Sequence, residues 1–184
     1  MIISLCGKLR SGKDSVAKTL ASKHGFIHLS FAAPLKKFCK DYLGLTEEES
    51  SDENKDKPIQ RYGYRTARQV WQDVGEFTRS IYPKVWVDKV FNGLDLTYDY
   101  VISDVRFKNE LEEVLKFNGL VVHVVRPTFH LSSPPGHNHV SETELSNVIL
   151  YDYKILNDDG IDALEAKVDK LAEYVRKNKT NEYV

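Results

Sequence analysis

Residues 7–15 read GKLRSGKDS, after the apolar run Ile2-Ile3-Ser4-Leu5-Cys6 and before a helical pattern that opens at Val16-Ala17. Gly7-x4-Gly12-Lys13 has Walker A spacing, in the setting such a loop requires: a strand before it and a helix after it. Glycines let the backbone wrap so that its N–H groups point inward. The helix N-terminus adds a partial positive charge, and Lys13 reaches outer phosphates. The slot that usually holds Ser or Thr holds Asp14. A carboxylate there is either a hard oxygen ligand for Mg²⁺, direct or through water, or a helix N-terminal charge with no metal role. Ser15 offers a hydroxyl and an amide to an inner phosphate. Arg10, inside the loop, either marks a second anion nearby or is simply solvated.

Outward from the loop, apolar runs and helical periods alternate. Strands are expected at 2–6, 26–31, 98–104, 120–127 and 153–156, and helices at about 14–23, 34–42, 66–81, 86–93 and 107–118. A last helix carries Ile161, Leu164, Val168, Leu171 and Val175 on one face, with a polar, frayed tail after Lys177. The charged stretch 46–57, TEEESSDENKDK, reads as an exposed loop or a short helix. Continuous apolar strands between helices predict an α/β fold: a five-stranded parallel sheet with helices on both faces. Ligands of such sheets gather at the carboxyl ends of the strands. Four polar clusters directly follow strands: 7–15, Asp104–Arg106, Arg126 and Asn157–Asp159.

At 184 residues the chain suits one domain. A net charge of −1 gives no global basic field for nucleic acid, so phosphate recognition must be local. Two cysteines without CxxC spacing, no signal-peptide core and no membrane-length apolar run make a reduced cytoplasmic protein the expectation.

On the helix read over 65–81, Val70, Val74, Phe77 and Ile81 fall on one side; Arg65, Arg68, Gln72, Gly75 and Arg79 fall on the other. Most polar stripes are solvated faces. Three arginines with no lysine, and a glycine that permits close approach, favour an anion-binding face, because the guanidinium fork grips phosphate in a bidentate way. Asp104 suits a contact to metal-bound water, as a Walker B residue makes, or to a sugar hydroxyl. Arg106 suits a phosphate, or an ion pair with Asp104 or Glu110. Asn157 and the residues after it suit a helix cap or a contact to a nucleotide base. His137-x-His139, with His130 near, lacks the further ligands that zinc needs. The Ser-, Pro- and His-rich segment is expected to be a mobile loop over the site, about 127–146.

A phosphate loop with scattered arginines fits phosphoryl transfer to an acceptor that already carries phosphate. Such an oxygen is ionised near neutral pH, so alignment and charge neutralisation by Lys13, Mg²⁺, Arg10, Arg68 and Arg106 suffice. No NKxD base-reading motif is present, which argues against a GTPase.

The ordered blocks GKLRSGKDS, APLKKF, RTARQVWQDVGEFTR with Trp86 after it, YVISDVRFKNE, VVHVVRP, HVSE and ILNDDGIDAL span residue 2 to about 170. As a set this chain resembles the deoxynucleoside monophosphate kinases of tailed bacteriophages, in which Asp after the loop lysine is a family trait. The resemblance implies a single P-loop kinase domain over 1–184 that binds its acceptor in a helical region, about 33–93. It implies transfer of the γ-phosphate of ATP to a deoxynucleoside monophosphate, with nucleotides as the only partners, no nucleic acid, no membrane, and a homodimer left open. A phage enzyme would work in the host cytoplasm. Gly7, Arg10, Gly12, Lys13, Asp14 and Ser15 match the ATP loop, and Asn157 is assigned to the same nucleotide. Lys36, Arg65, Arg68, Gly75, Trp86, Asp104, Arg106 and Glu110 are assigned to the acceptor. His139, Ser141 and Glu142 match the mobile segment, and Asp14 and Asp104 are the metal candidates. The family has Lys-Arg where this chain has Leu9-Arg10, and Gly-Thr where it has Gly75-Glu76. The SGKD loop also resembles phosphomevalonate kinases, and a nucleotide-binding regulatory protein without turnover is the alternative from another class.

Overall fold

A computed structural model describes residues 1–127 and 151–181, with side chains through Lys177. In chain order the elements begin β1 (Ile2–Cys6), α1 (Lys13–His24), β2 (Ile27–Leu29), α2 (Ala32–Leu43) and α3 (Glu47–Ser50). There follow β3 (Pro58–Ile59), β4 (Arg65–Thr66), α4 (Ala67–Ile81), α5 (Val85–Phe91) and β5 (Tyr100–Ile102). The last are α6 (Lys108–Lys116), β6 (Leu120–Val125), β7 (Tyr153–Leu156) and α7 (Ile161–Asn181).

The described residues gather into two compact units, 1–29 with 95–127 and 151–181, and 30–94. The first contains the sheet, ordered β2-β5-β1-β6-β7 with every pairing parallel. This is the expected α/β architecture. β1 lies at the centre and is buried at all five residues, which explains its unbroken apolar sequence: both faces of the strand are covered. Leu5, Val101, Val122, Val124 and Ile155 of the strands pack with Val16 and Leu20 of α1 and with Leu164, Val168 and Leu171 of α7. Each such side chain contributes about 1.5–3 kcal/mol by leaving water. Because all five strands run the same way, their carboxyl ends share one edge. The segments after β1, β5, β6 and β7 are therefore brought to the same edge by topology alone.

The second unit packs α2, α4 and α5 around Leu35, Cys39, Leu45, Ala67, Val70 and Trp86. Thr66 caps α4 reciprocally: its hydroxyl accepts from Gln69 N–H at 3.2 Å, while its own N–H donates to Gln69 Oε1 at 2.9 Å.

Several expectations need correction. Arg65 does not open the α4 helix. It lies in β4, which pairs antiparallel with β3 (Ile59 opposite Arg65) in a hairpin that two-residue strands are too short to announce by alternation. Within the charged stretch a one-turn helix forms over α3, closed by a Thr46–Glu49 capping box. The buried line of α4 contains Ala67, Val70 and Gly75, with Trp71 and Val74 packed against the same core. Phe77 and Ile81, placed with Val70 and Val74 on the apolar side, are 64% and 70% exposed. Phe77 sits at the flank of the buried line and Ile81 on the last turn; periodicity sets a line along a helix, not where its packing partner ends. Gly75 moves from the polar to the buried face. Ile161 is 56% exposed at the first position of α7, and that helix continues past Lys177 to Asn181. His139, Ser141, Glu142 and the rest of the expected mobile segment beyond Pro127 lie outside the described residues.

Candidate active site

The loop from Gly7 to Gly12 leaves the centre of the sheet. Its two glycines are required by conformation and by space: φ is +142° at Gly7 and +106° at Gly12. A Cβ on Gly7 would sit 2.2 Å from the Val124 carbonyl oxygen. A Cβ on Gly12 would sit 2.4 Å from Asn157 Nδ2. Backbone thus lies flush against β6 at one end of the loop and against the residue after β7 at the other. Gly12 is also the N-cap of α1 and has no side chain to cap it, so the first-turn amides keep their capacity for an anion. Lys13 donates to the carbonyls of Gly7 (2.8 Å) and Lys8 (2.9 Å), so its ammonium folds back over the loop. Arg10 is exposed in the left-handed region at φ +61°, Asp14 is exposed in the first turn of α1, and Ser15 is half-buried. Beneath the loop, burial pushes the Cys6 thiol up to about 11, so no thiolate competes with a bound anion.

Along the same edge, Asp104 and Arg106 follow β5, both half-buried. Ser103, buried just before them, has its hydroxyl 2.8 Å from His28 Nε2. Glu110 is 4% exposed, and its Oε2 accepts the backbone N–H groups of Arg106 (2.8 Å) and Phe107 (3.0 Å). These bonds fix the backbone of the 104–107 segment at the start of α6. Asn157, read as a helix cap or a contact to a nucleotide base, is 7% exposed and donates from Nδ2 to the Ser11 carbonyl at 2.8 Å.

In the second unit, Lys36 Nζ lies 4.7 Å from the centre of the Trp71 ring, a cation–π contact. Arg68 grips Asp56 with its fork, Nε to Oδ1 at 2.6 Å and Nη2 to Oδ2 at 3.0 Å. Its guanidinium is therefore already arranged for a planar anion. Arg65 Nε donates to Asp73 Oδ2 at 2.8 Å. The place a Gly75 Cβ would take lies 3.0 Å from Arg79 Nη2 and 3.1 Å from Leu35 Cδ2, so this glycine admits both close to the helix. Trp86 is 6% exposed, and its indole N–H donates to Thr78 Oγ1 at 3.1 Å. Assigned to the acceptor from sequence, it is a core residue of this unit. Trp71 and Asp56 were not foreseen; the tryptophan lies inside the arginine-bearing block, where its spacing alone reads as core.

Comparison with known proteins decides the chemistry. A family model described as deoxynucleotide monophosphate kinase matches residues 68–168, more than half of the chain. The chain belongs to the deoxynucleotide monophosphate kinase family. A putative deoxynucleotide monophosphate kinase of Acanthamoeba polyphaga mimivirus is 30% identical over 185 aligned positions, covering 91% of this chain and 94% of that protein. An uncharacterized protein of Ictalurid herpesvirus 1 (strain Auburn) is 26% identical over 152, covering 79% of this chain and 56% of its own. Among solved structures, dephospho-CoA kinase from Campylobacter jejuni superposes with a TM-score of 0.54 at 13% identity, over 95% of this chain and 96% of that one. That likeness shows the P-loop kinase fold and nothing finer. Family membership makes the chain a nucleotide monophosphate kinase and sets aside the phosphomevalonate and non-catalytic readings.

Proposed function

We propose that this kinase transfers the γ-phosphate of ATP to the 5′-phosphate of a deoxynucleoside monophosphate, giving ADP and a deoxynucleoside diphosphate for dNTP synthesis. The observation that carries this is the Gly7–Ser15 loop, with Lys13 folded over it and an uncapped helix N-terminus at its end, in a chain of this family. An oxygen of the acceptor phosphate attacks the γ-phosphorus, and the bond to the β-bridging oxygen breaks. The second ionisation of a phosphate monoester lies near pH 6, so at neutral pH the acceptor oxygen is already anionic and needs no strong base. Lys13 leaves the carbonyls of Gly7 and Lys8 for the β- and γ-phosphates, and Arg10 and Arg106 neutralise charge as it develops.

Asp14 and Asp104 are hard oxygen donors that would hold Mg²⁺, an ion that keeps several waters and takes only one or two protein carboxylates; it would supply neutralisation of the charge on the transferring phosphates. Lys36, Arg65, Arg68 and Gly75 of the second unit serve the acceptor. We read the two units as donor-binding and acceptor-binding parts of one kinase domain. A phage-encoded enzyme of this kind would work in the host cytoplasm; none of the described helices is long and apolar enough to cross a membrane.

The test is ADP release with ATP, Mg²⁺ and each of the four deoxynucleoside monophosphates, for the wild type and Lys13→Ala. Turnover on at least one of them should fall on the order of 10²-fold or more in the variant. Near-normal turnover in Lys13→Ala overturns the assignment of the loop. Sedimentation of the same sample decides between monomer and homodimer.

A further inference from the structure

A phosphate loop works only if its amides face the phosphate, and a flexible glycine loop does not aim them by itself. The Ser11–Gly12 peptide, like every described one, is trans. In a trans peptide the C=O and the following N–H point in opposite directions. Fixing one therefore aims the other.

Asn157 fixes this one. Its side-chain amide donates to the Ser11 carbonyl at 2.8 Å across 146 residues of sequence, in a buried bond. Its own backbone N–H is tied to the Val125 carbonyl at 2.7 Å, so the side chain projects from the anchored end of the sheet. Glycine at position 12 lets it come this close, since a Cβ there would stand 2.4 Å from Nδ2. Among the described residues the Gly12 N–H has no hydrogen-bond acceptor, and the buried Ser11 hydroxyl beside it has no partner either. Both polar groups of the 11–12 step stand ready for a ligand, while the carbonyl between them is held from outside the loop.

We propose that Asn157 is a positioning residue of the donor site: by holding the Ser11 carbonyl it turns the Gly12 N–H toward a phosphate of ATP. This rests on the reading of the loop as the ATP site. It differs from the base contact expected at Asn157, because here the residue acts through the peptide and touches no nucleotide.

The test compares wild type with Asn157→Leu, close in shape but without a donor, and Asn157→Asp, which keeps shape and polarity if the first variant fails to fold. The first readout is the Gly12 amide resonance in ¹⁵N-labelled protein titrated with inorganic tripolyphosphate. The second is KM for ATP against KM for the deoxynucleoside monophosphate. The wild-type resonance should move with added tripolyphosphate, and the response should be lost in the variants. KM for ATP should rise about 10- to 150-fold, the worth of a hydrogen bond to a charged group, with KM for the acceptor unchanged. A variant that folds and keeps the Gly12 response, or loses both KM values equally, overturns the proposal. A wild type that shows no Gly12 response overturns instead the reading of the loop on which it rests.

Discussion

Gly7→Ala tests the loop through the backbone alone. At φ +142° a side chain is strained wherever it points; such strain costs about 1–3 kcal/mol, roughly 2–12 °C of melting temperature for a chain of this size. The added methyl would also stand 2.2 Å from the Val124 carbonyl oxygen, where ordinary contact begins at 3.4 Å. The obstacle is backbone of a buried strand, so the loop must give way by about 1 Å, and displacement of that size at a reacting centre costs about 10²-fold in rate. Gly93→Ala is the control, because its φ is +90° but nothing lies within 4 Å of the new methyl. Both variants should melt lower. Only Gly7→Ala should lose about 10²-fold in kcat/KM for ATP, measured by coupled ADP release alongside thermal melts. Equal kinetic behaviour of the two variants would refute the argument that contact with β6 sets the shape of the loop.

Asp14→Asn should raise the Mg²⁺ concentration for half-maximal rate without lowering the melting temperature; an unchanged Mg²⁺ dependence reduces Asp14 to a helix-terminal charge. Arg68→Ala should lower kcat/KM for the deoxynucleoside monophosphate by about 10- to 150-fold, the worth of a charged bidentate partner, and leave ATP affinity near normal. Separate titrations of the two substrates check this, and equal losses for both would remove Arg68 from the acceptor site. Burial first, then the charges of Lys154 and Lys13, hold the His123 imidazole below its usual value. The unfolded chain therefore binds the proton more readily, so this contribution to stability is present above about pH 6.5 and lost as pH falls through the lower native value. His123→Phe should flatten the fall in melting temperature between about pH 7 and pH 5, and NMR titration of the wild-type ring should give a midpoint below about 6.5.

Much of the architecture was legible because its causes are local. An apolar run with no polar alternation marks a strand covered on both faces, as at β1, and both β1 and the edge strand β7 occupy the residues read for them. Glycine spacing ahead of a lysine announces the phosphate loop, since close packing and left-handed backbone each demand glycine there. Alternation of strands and helices carried the parallel sheet, and with it the gathering of four polar segments at one edge.

What several of the singled-out side chains do was not legible, because it depends on neighbours that only tertiary packing supplies. Glu110 in sequence is an acid near two basic residues; folded, it holds the amides of Arg106 and Phe107. Trp86 is an aromatic after an arginine-rich helix; folded, its ring lies in the core and its N–H is taken by Thr78. Asn157 is a helix-cap residue by type. The order β1-β6-β7 places the end of the last strand against a loop formed at the start of the chain. A hydrogen bond spanning 146 residues has no periodicity in sequence to betray it, and only packing creates it.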